Sequence, residues 1–176
     1  MEIYLVRHTE TVCGLGVCYG QTDVKLKEPY LEQFSVIKKD LPENAICYSS
    51  PSQRCLLLAE YLADNHVTVD NRLMEMNFGD WELVKWDAIP EEELNPWMND
   101  FVNEKVPQGE SFTDLYNRVE DFIEDLLLQK NENPIVIVTH AGVIRSLLCK
   151  FSDLPLKDAF KNKVAFGEVL KIAIPA

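Results

Sequence analysis

The sequence predicts an α/β protein, a three-layer α/β/α sandwich with a mainly parallel sheet. The main observation is that two patterns alternate along the chain. Short apolar runs typical of buried strands are followed by longer segments whose apolar residues repeat at helical spacing. The second observation is the composition of the 176 residues, 47% apolar and 26% charged, which is that of an ordinary globular domain. We therefore expect one domain over residues 1–176, with helices on both faces of the sheet.

The first half of the chain contains two strand-to-helix units. Residues 3–6 are predicted to form a buried strand, because an apolar run is followed at once by charged residues. A helix is predicted over residues 30–41, where the apolar side chains share one face and Pro42 follows. Residues 45–48 are the second predicted strand, and a helix with Pro51 near its first turn comes next.

The middle of the chain is less regular. Residues 67–69 are predicted to form a weak third strand. Residues 71–108 follow no clean hydrophobic period, so we predict a partly helical excursion there. The next helix, over residues 112–127, has a continuous apolar stripe, and Ser111 and Asp114 have the spacing of a capping box at its start.

The last part of the chain repeats the strand-turn-helix pattern of its beginning. Residues 135–138 are predicted to form a strand buried on both faces, and residues 143–148 a short helix. A final strand is predicted over residues 165–174. This alternation of strands and helices favours a mainly parallel sheet.

The chain is strongly acidic, because 17 Lys and Arg stand against 29 Asp and Glu, for a formal net charge of -12. Nucleic acids and anionic membranes are bound mainly by basic residues, so we expect neither as a partner. No apolar run approaches the roughly 20 residues of a membrane-spanning helix, and the first residues do not resemble a signal peptide. We expect a cytoplasmic protein whose five cysteines, none spaced as C-x-x-C, are reduced thiols.

Four basic side chains are placed to form one pocket. His8 and His140 each follow a predicted strand directly, and Arg54 lies in the first turn of the helix after the second strand. Ligands of open α/β sheets bind beyond the carboxyl ends of the strands. Together with Arg7, these side chains predict a cationic pocket that suits a phosphate group, although any one of them alone is more often an ordinary polar residue.

Several other classes of site are not indicated. The sequence has no H-E-x-x-H or D-x-D cluster for a metal, no G-x-x-x-x-G-K loop and no G-x-S-x-G motif. We therefore expect no metal and no other cofactor. The expected partner is a small phosphorylated metabolite.

Five motifs, in order along the chain, resemble the signatures of the histidine phosphatase superfamily, which is also called phosphoglycerate mutase-like. They are R-H-T-E-T at residues 7–11, S-P-S-Q-R at 50–54, L-M-E-M-N-F-G-D-W-E at 73–82, P-Q-G-E-S at 107–111 and T-H-A-G-V-I-R at 139–145. The resemblance implies a phosphoglycerate mutase-like fold. It also implies a phosphomonoesterase that works without a metal, through a phosphohistidine intermediate.

The resemblance implies a role for each basic residue of the predicted pocket. His8 is the nucleophile that attacks phosphorus, which a neutral imidazole can do at neutral pH. Arg7, Arg54 and His140 bind the phosphate oxygens and stabilise the charge of the transition state.

The reaction also needs an acid, because an alkoxide leaves poorly at neutral pH. Glu75 occupies the family position of the acid that protonates the leaving oxygen and then activates water. Glu82 is the reserve candidate for this role.

One further stretch suggests a substrate. G-V-C-Y-G-Q-T-D-V at residues 16–24 resembles short bacterial alpha-ribazole phosphatases, which implies hydrolysis of alpha-ribazole 5'-phosphate to alpha-ribazole in cobalamin biosynthesis. The same resemblance makes Cys18, Tyr19 and Gly20 candidate contacts of the substrate.

Two positions depart from the family pattern, and one segment has two interpretations. Gly14 stands where many members carry an asparagine that contacts phosphate, and Leu83 replaces the glycine usual after W-E. The segment with Trp81, Trp86, Trp97 and Phe101 either covers the pocket and stacks on a flat base or belongs to the core.

Three alternative functions remain open. The first is a broad-specificity sugar-phosphate phosphatase, and the second is a phosphoglycerate mutase-like enzyme. The mutase is disfavoured because the sequence ends at Ala176, soon after the last predicted strand, with no tail to retain the phosphoglycerate. The third is a module that binds a phosphate group without catalysis.

Overall fold

The structure is a computed structural model that describes residues 1–173. Over those residues it contains one five-stranded sheet and helices on both of its faces. The strands are β1 (Glu2–Arg7), β2 (Ile46–Ser49), β3 (Val67–Val69), β4 (Ile135–Thr139) and β5 (Val169–Ala173). The α-helices of this part of the chain are α1 (Leu31–Lys39), α2 (Gln53–Leu62), α3 (Glu91–Asn99), α4 (Phe112–Leu128) and α5 (Ala141–Phe151).

The strand order of the sheet is β3-β2-β4-β1-β5. The first four of these strands are parallel, and β5 runs antiparallel to β1. In the register of the parallel strands, Arg7 of β1 lies beside Thr139 of β4, and Ser49 of β2 beside Val138. The carboxyl ends of β1, β2 and β4 therefore meet at one edge of the sheet.

The helices form an outer layer on each face. Val6 of β1 belongs to a buried cluster with Phe34 of α1 and Leu58 of α2. Its neighbour Leu5 points to the other face and belongs to a second cluster with Leu115 of α4. Because successive side chains of a strand alternate between faces, one strand supplies both cores. The three-layer α/β/α sandwich with a mainly parallel sheet is confirmed.

The helix after β2 begins later than the sequence predicts. Pro51 was expected near its first turn, but it lies before the helix, which begins at Gln53 after the N-cap residue Ser52. The Ser50 hydroxyl accepts the N–H of Ser52 at 3.3 Å, and the ψ of Ser52 is 134°. This turn delays the helix, and it still leaves Arg54 in the first turn as predicted.

The irregular segment 71–108 contains α3 and three short 3₁₀ segments. Trp81 and Trp97 are buried within it and contact each other edge to face, with ring centroids 5.7 Å apart. The helix that follows starts with the predicted capping box. The Ser111 hydroxyl accepts the N–H of Asp114 at 3.2 Å, and the Asp114 carboxylate accepts the N–H of Ser111 at 2.9 Å.

The last strand is shorter than the predicted range 165–174. Its first four residues form a turn instead, in which the Ala165 carbonyl accepts the N–H of Glu168 at 3.2 Å. Gly167 has a φ of 70° in this turn, which a strand does not accommodate. β5 begins after it, and the predicted position Ile174 lies outside the described residues. Among residues 1–173, no helix is long and apolar enough to cross a membrane.

Candidate active site

A cavity of about 730 Å³ opens at the edge of the sheet where β1, β2 and β4 end. Its lining includes the following five residues that the sequence singles out: Arg7, His8, Arg54, Glu75 and His140. They come from β1 and the loop after it, the first turn of α2, the irregular segment after β3, and the residue before α5. The structure thus brings together the predicted nucleophile, phosphate ligands and acid.

The protonation of His8 follows from its hydrogen bond. Its ring is buried, and Nδ1 lies 2.8 Å from the carbonyl oxygen of Thr9. A carbonyl only accepts hydrogen bonds, so Nδ1 carries the proton and Nε2 carries the lone pair. Burial, the charge of Arg54 and then that of Arg7 lower the pKa of His8 to about 3. The imidazole is therefore neutral at physiological pH, with a free lone pair on Nε2.

His140 is also buried and neutral. Its Nδ1 lies 3.3 Å from Nη2 of Arg54, and its Nε2 lies 2.8 Å from the hydroxyl of Ser50. Arginine only donates, so Nδ1 accepts and the Nε2 N–H donates to Ser50. Burial first, and then the charge of Arg54, hold the pKa of His140 well below its usual range. The His140 and His8 ring centroids are 5.3 Å apart.

Arg54 and Arg7 are cations without a carboxylate partner among the described residues. Arg54 is 1% exposed and donates to the carbonyls of Gly20 and Thr22. Arg7 donates to the carbonyl of Val164 at 2.6 Å, and its guanidinium lies 3.9 Å from the ring centre of Phe166. The Nε atoms of both arginines are buried and make no hydrogen bond within residues 1–173. Two such cations in an acidic protein favour a bound anion.

Glu75 lies in an irregular stretch, and two backbone N–H groups hold its carboxylate. Oε1 accepts from Met76 at 2.9 Å, and Oε2 accepts from Gly142, in the first turn of α5, at 3.1 Å. A Cβ atom at Gly142 would lie 2.2 Å from Oε1. Glycine at this position is therefore what allows the carboxylate to approach the N-terminus of α5.

Glu82 does not share this environment. Its carboxylate accepts the backbone N–H groups of Gly20, Gln21, Thr22 and Phe78 at 2.9 to 3.3 Å. Burial raises the pKa of Glu82, but these hydrogen bonds outweigh burial, and the pKa lies below its usual value. Glu82 and Gly20 are absent from the cavity lining. Glu82 instead holds the loop at residues 20–22 through its backbone N–H groups.

The loop from residue 13 to residue 19 forms one side of the cavity. Cys18 is buried, which raises the pKa of its thiol to about 12, so it is a neutral lining group. The hydroxyl of Tyr19 accepts from Thr11 at 3.0 Å. No atom lies within 4 Å of a Cβ built on Gly14, so the space beside it is open. Leu83 has a φ of 63°, the conformation that favours the glycine usual at this position.

The structure adds a third cation that the sequence reasoning missed. Arg145 lines the cavity, donates from Nε to the carbonyl of Asn162 at 3.1 Å, and lies 5.0 Å from the ring centre of Phe160. Burial lowers its pKa, and it has no ion-pair partner among the described residues. The sequence feature that could have indicated Arg145 is its position in the T-H-A-G-V-I-R motif, five residues after His140.

Among residues 1–173, four more aromatic rings line the cavity besides that of Tyr19. They belong to Phe78, Trp86, Phe160 and Phe166. Of the three tryptophans considered for this place, Trp86 alone is in the lining, and Trp81 and Trp97 are buried in the core. Trp81 and Trp97 thus belong to the core, Phe101 is absent from the lining, and Trp86 is placed where it can contact a ligand.

A family model described as the histidine phosphatase superfamily (branch 1) matches residues 3–175. The chain therefore belongs to the histidine phosphatase superfamily. This confirms the family to which the five sequence motifs point.

The relatives of this chain within the family are named for different activities. Phosphoserine phosphatase 1 of Hydrogenobacter thermophilus is 27% identical over 85% of this chain and 75% of its own length. A probable phosphoglycerate mutase of Erwinia tasmaniensis is 31% identical over 88% of this chain and 76% of its own length. The crystal structure of the alpha-ribazole phosphatase from Shigella flexneri is similar with a TM-score of 0.90 and 27% identity, over 99% of this chain and 91% of the other.

Proposed function

We propose that this protein is a metal-independent phosphomonoesterase that works through a phosphohistidine at His8. The observation that carries the proposal is the hydrogen bond from Nδ1 of His8 to the carbonyl of Thr9. It leaves the Nε2 lone pair for attack, and burial, followed by the charges of Arg54 and Arg7, lowers the pKa of the imidazole and keeps it neutral.

In the first step the Nε2 lone pair of His8 forms a bond to phosphorus while the bond from phosphorus to the leaving oxygen breaks. Arg7 and Arg54 bind the phosphoryl oxygens, and their charge stabilises the transition state. His140 adds a neutral N–H donor when its Nε2 N–H exchanges the Ser50 hydroxyl for a phosphoryl oxygen. Cations supply here the charge stabilisation that metal ions supply in other phosphatases.

Glu75 is the proposed acid and base. Its protonated carboxyl group gives a proton to the leaving oxygen in the first step. The carboxylate then takes a proton from water, whose oxygen attacks phosphorus and breaks the bond to His8. We assign the role to Glu75 rather than Glu82, because four backbone N–H groups occupy the Glu82 carboxylate outside the cavity lining.

The proposed substrate is alpha-ribazole 5'-phosphate, and the product is alpha-ribazole, in cobalamin biosynthesis. The cavity has room for a leaving group much larger than phosphate. The rings of Phe78, Trp86 and Phe160 supply faces on which a flat base can stack. Cys18 and Tyr19 line the cavity and are the proposed contacts of the ribose. The similarity to the Shigella flexneri enzyme supports this choice.

Arg145 favours a second candidate, a phosphatase for esters whose leaving group is itself anionic. Its guanidinium has no ion-pair partner within residues 1–173 and lines the same cavity as Arg7 and Arg54, so it suits a carboxylate, as in phosphoserine or phosphoglycerate. The relatives named phosphoserine phosphatase and phosphoglycerate mutase support this candidate.

One set of assays tests both the chemistry and the substrate. We expect the protein to hydrolyse para-nitrophenyl phosphate in the presence of EDTA, and loss of activity that zinc or magnesium restores would contradict the metal-free mechanism. With alpha-ribazole 5'-phosphate as substrate, kcat/KM should exceed that with phosphoserine by more than the roughly 10 to 200-fold of a single apolar contact.

A higher kcat/KM with phosphoserine than with alpha-ribazole 5'-phosphate would favour the second candidate if the Arg145→Met variant lost this preference. Arg72→Met is the matched control, because Arg72 pairs with Asp70 and Asp125 on the surface. A flat substrate profile would indicate a broad-specificity phosphatase.

A further inference from the structure

Arg118 of α4 holds the backbone of the segment that carries Glu75. Its Nη1 donates to the carbonyl oxygens of Arg72 and Met74 at 2.8 and 2.6 Å. Its Nη2 donates to the carbonyl oxygen of Glu75 itself at 2.9 Å. One side chain thus binds three carbonyl groups within four residues of the chain.

The remaining donors of Arg118 form a two-point ion pair with Glu110. Nε lies 2.8 Å from Oε1, and Nη2 lies 2.9 Å from Oε2. The same Oε2 accepts the N–H of Asn77 at 2.9 Å, two residues beyond Glu75. The five hydrogen bonds match the five N–H donors of a guanidinium. The pair is largely buried, at 19% and 20% exposure of the two side chains.

These bonds support a segment that has no regular structure of its own, and Gln21 Nε2 also donates to the Glu75 carbonyl at 3.1 Å. Residues 75–78 belong to neither a helix nor a strand, so no ladder of backbone hydrogen bonds fixes the Cα of Glu75. In contrast, α4 is a 17-residue helix with a capping box. Arg118 thereby links the acid to a rigid element, while the N–H groups of Gly142 and Met76 fix the carboxylate at the other end.

We propose that Arg118, supported by Glu110, is the positioning residue of the general acid. It sets the distance from the Glu75 carboxyl group to the leaving oxygen without contacting the substrate itself. The proposal rests on the proposed function of Glu75. It predicts that a change at Arg118 affects the step in which the leaving oxygen is protonated more than any other property of the site.

The test compares two aryl phosphate esters whose leaving groups differ in basicity. Phenolate needs protonation to leave, whereas nitrophenolate needs little. We expect Arg118→Lys to lower kcat/KM for phenyl phosphate about tenfold more than for para-nitrophenyl phosphate, since a misplacement of about 1 Å can cost up to 10²-fold. Lysine keeps the charge but cannot reach three carbonyls and a carboxylate at once.

A double-mutant cycle separates positioning from a general structural effect. Glu75→Gln should lower the same ratio of rates further, and adding Arg118→Lys to it should leave that ratio unchanged. Arg72→Lys is the control, because within residues 1–173 the Arg72 side chain hydrogen-bonds only to Asp70 and Asp125. Should Arg118→Lys not fold, Glu110→Gln weakens the ion pair and should cause the same selective loss.

Two results would overturn the inference or its basis, and they can be told apart. Equal losses on both esters in Arg118→Lys, or in Glu110→Gln if it replaces the first variant, would mean that the pair acts on stability alone. If Glu75→Gln itself caused no selective loss, the assignment of the acid would fail instead.

Discussion

The hydrogen bonds and pKa values of the candidate functional residues depend on neighbours that are mostly distant in sequence. His8 and His140 could be placed from the sequence, because each follows a strand directly and parallel strands end at one edge. The partners of His140 could not, because Arg54 and Ser50 lie 86 and 90 positions away from it. Arg145 carried a signal in its motif, but only the fold shows that it has no ion-pair partner within residues 1–173.

The buried histidines should make the protein sensitive to acid. The pKa of His8 is about 3 in the folded protein, against 6.5 for an unperturbed histidine. The unfolded chain therefore takes up this proton below pH 6.5 while the folded protein does not. Stability should be unaffected above pH 6.5 and should fall toward pH 3, by about 1.4 kcal/mol per pH unit for one histidine.

Urea unfolding at pH 7.5 and pH 5 measures this effect. We expect a smaller loss of stability between the two pH values in His8→Gln than in the wild type. The same loss in both proteins would show that His8 is not the group that titrates.

Gly142 should be intolerant of a side chain, because a Cβ there would lie 2.2 Å from the Glu75 carboxylate. Gly142→Ala should lower kcat/KM for phenyl phosphate more than for para-nitrophenyl phosphate, in the same direction as Glu75→Gln. Gly14→Ala is the matched variant, since no atom lies within 4 Å of its Cβ position. Steady-state kinetics with the two esters measure this effect. A Gly142→Ala enzyme with the wild-type ratio of kcat/KM for the two esters would contradict this account of Glu75.

Elements with a clear hydrophobic period were predictable, and the segment between β3 and α4 was not. The stripe and capping box of α4 are local features, visible in consecutive residues. In contrast, the loop that ends with Gly20 and Gln21 is held by Glu82, which lies 61 or 62 positions away. Hydrogen bonds between residues so far apart produce no periodic pattern in the sequence. For residues 71–108 the sequence therefore predicted only a partly helical excursion.

The capping box of α4 allows a test of stability that is separate from catalysis. Ser111→Ala removes the hydroxyl that accepts the N–H of Asp114. The loss should cost about 1 kcal/mol in the free energy of unfolding. Chemical denaturation measures it, and kcat for para-nitrophenyl phosphate should change little. An unchanged unfolding free energy would contradict the assigned role of the cap.

At the scale of the whole molecule, the charge of the cavity is opposite to that of the protein. The chain has a formal net charge of -12, yet Arg7, Arg54 and Arg145 face one cavity without a carboxylate partner among the described residues. Repulsion between them is relieved when an anion binds. Composition alone predicted an acidic protein that does not bind nucleic acids. The site for a phosphate group was predicted from the positions of the basic residues near the ends of the strands.

Inorganic phosphate should therefore stabilise the folded protein. A ligand present at 100 times its Kd adds about 2.7 kcal/mol to the free energy of unfolding. We expect the Tm to rise with phosphate concentration in the presence of EDTA. The rise should disappear in Arg7→Met and remain in Arg72→Met, which changes a surface arginine. An equal rise in both variants would place the bound phosphate elsewhere.

The phosphohistidine is the central claim, and trapping it is the most direct test. The wild type is mixed with a ³²P-labelled substrate, quenched at high pH and separated from free phosphate. We expect label on the protein that is stable to base and labile to acid, as a phosphoramidate bond requires. His140→Ala should retain a trace of this label, because the nucleophile is intact, and His8→Ala should have none. Acid-labile label on His8→Ala, or turnover by the wild type without any trapped label, would contradict the account.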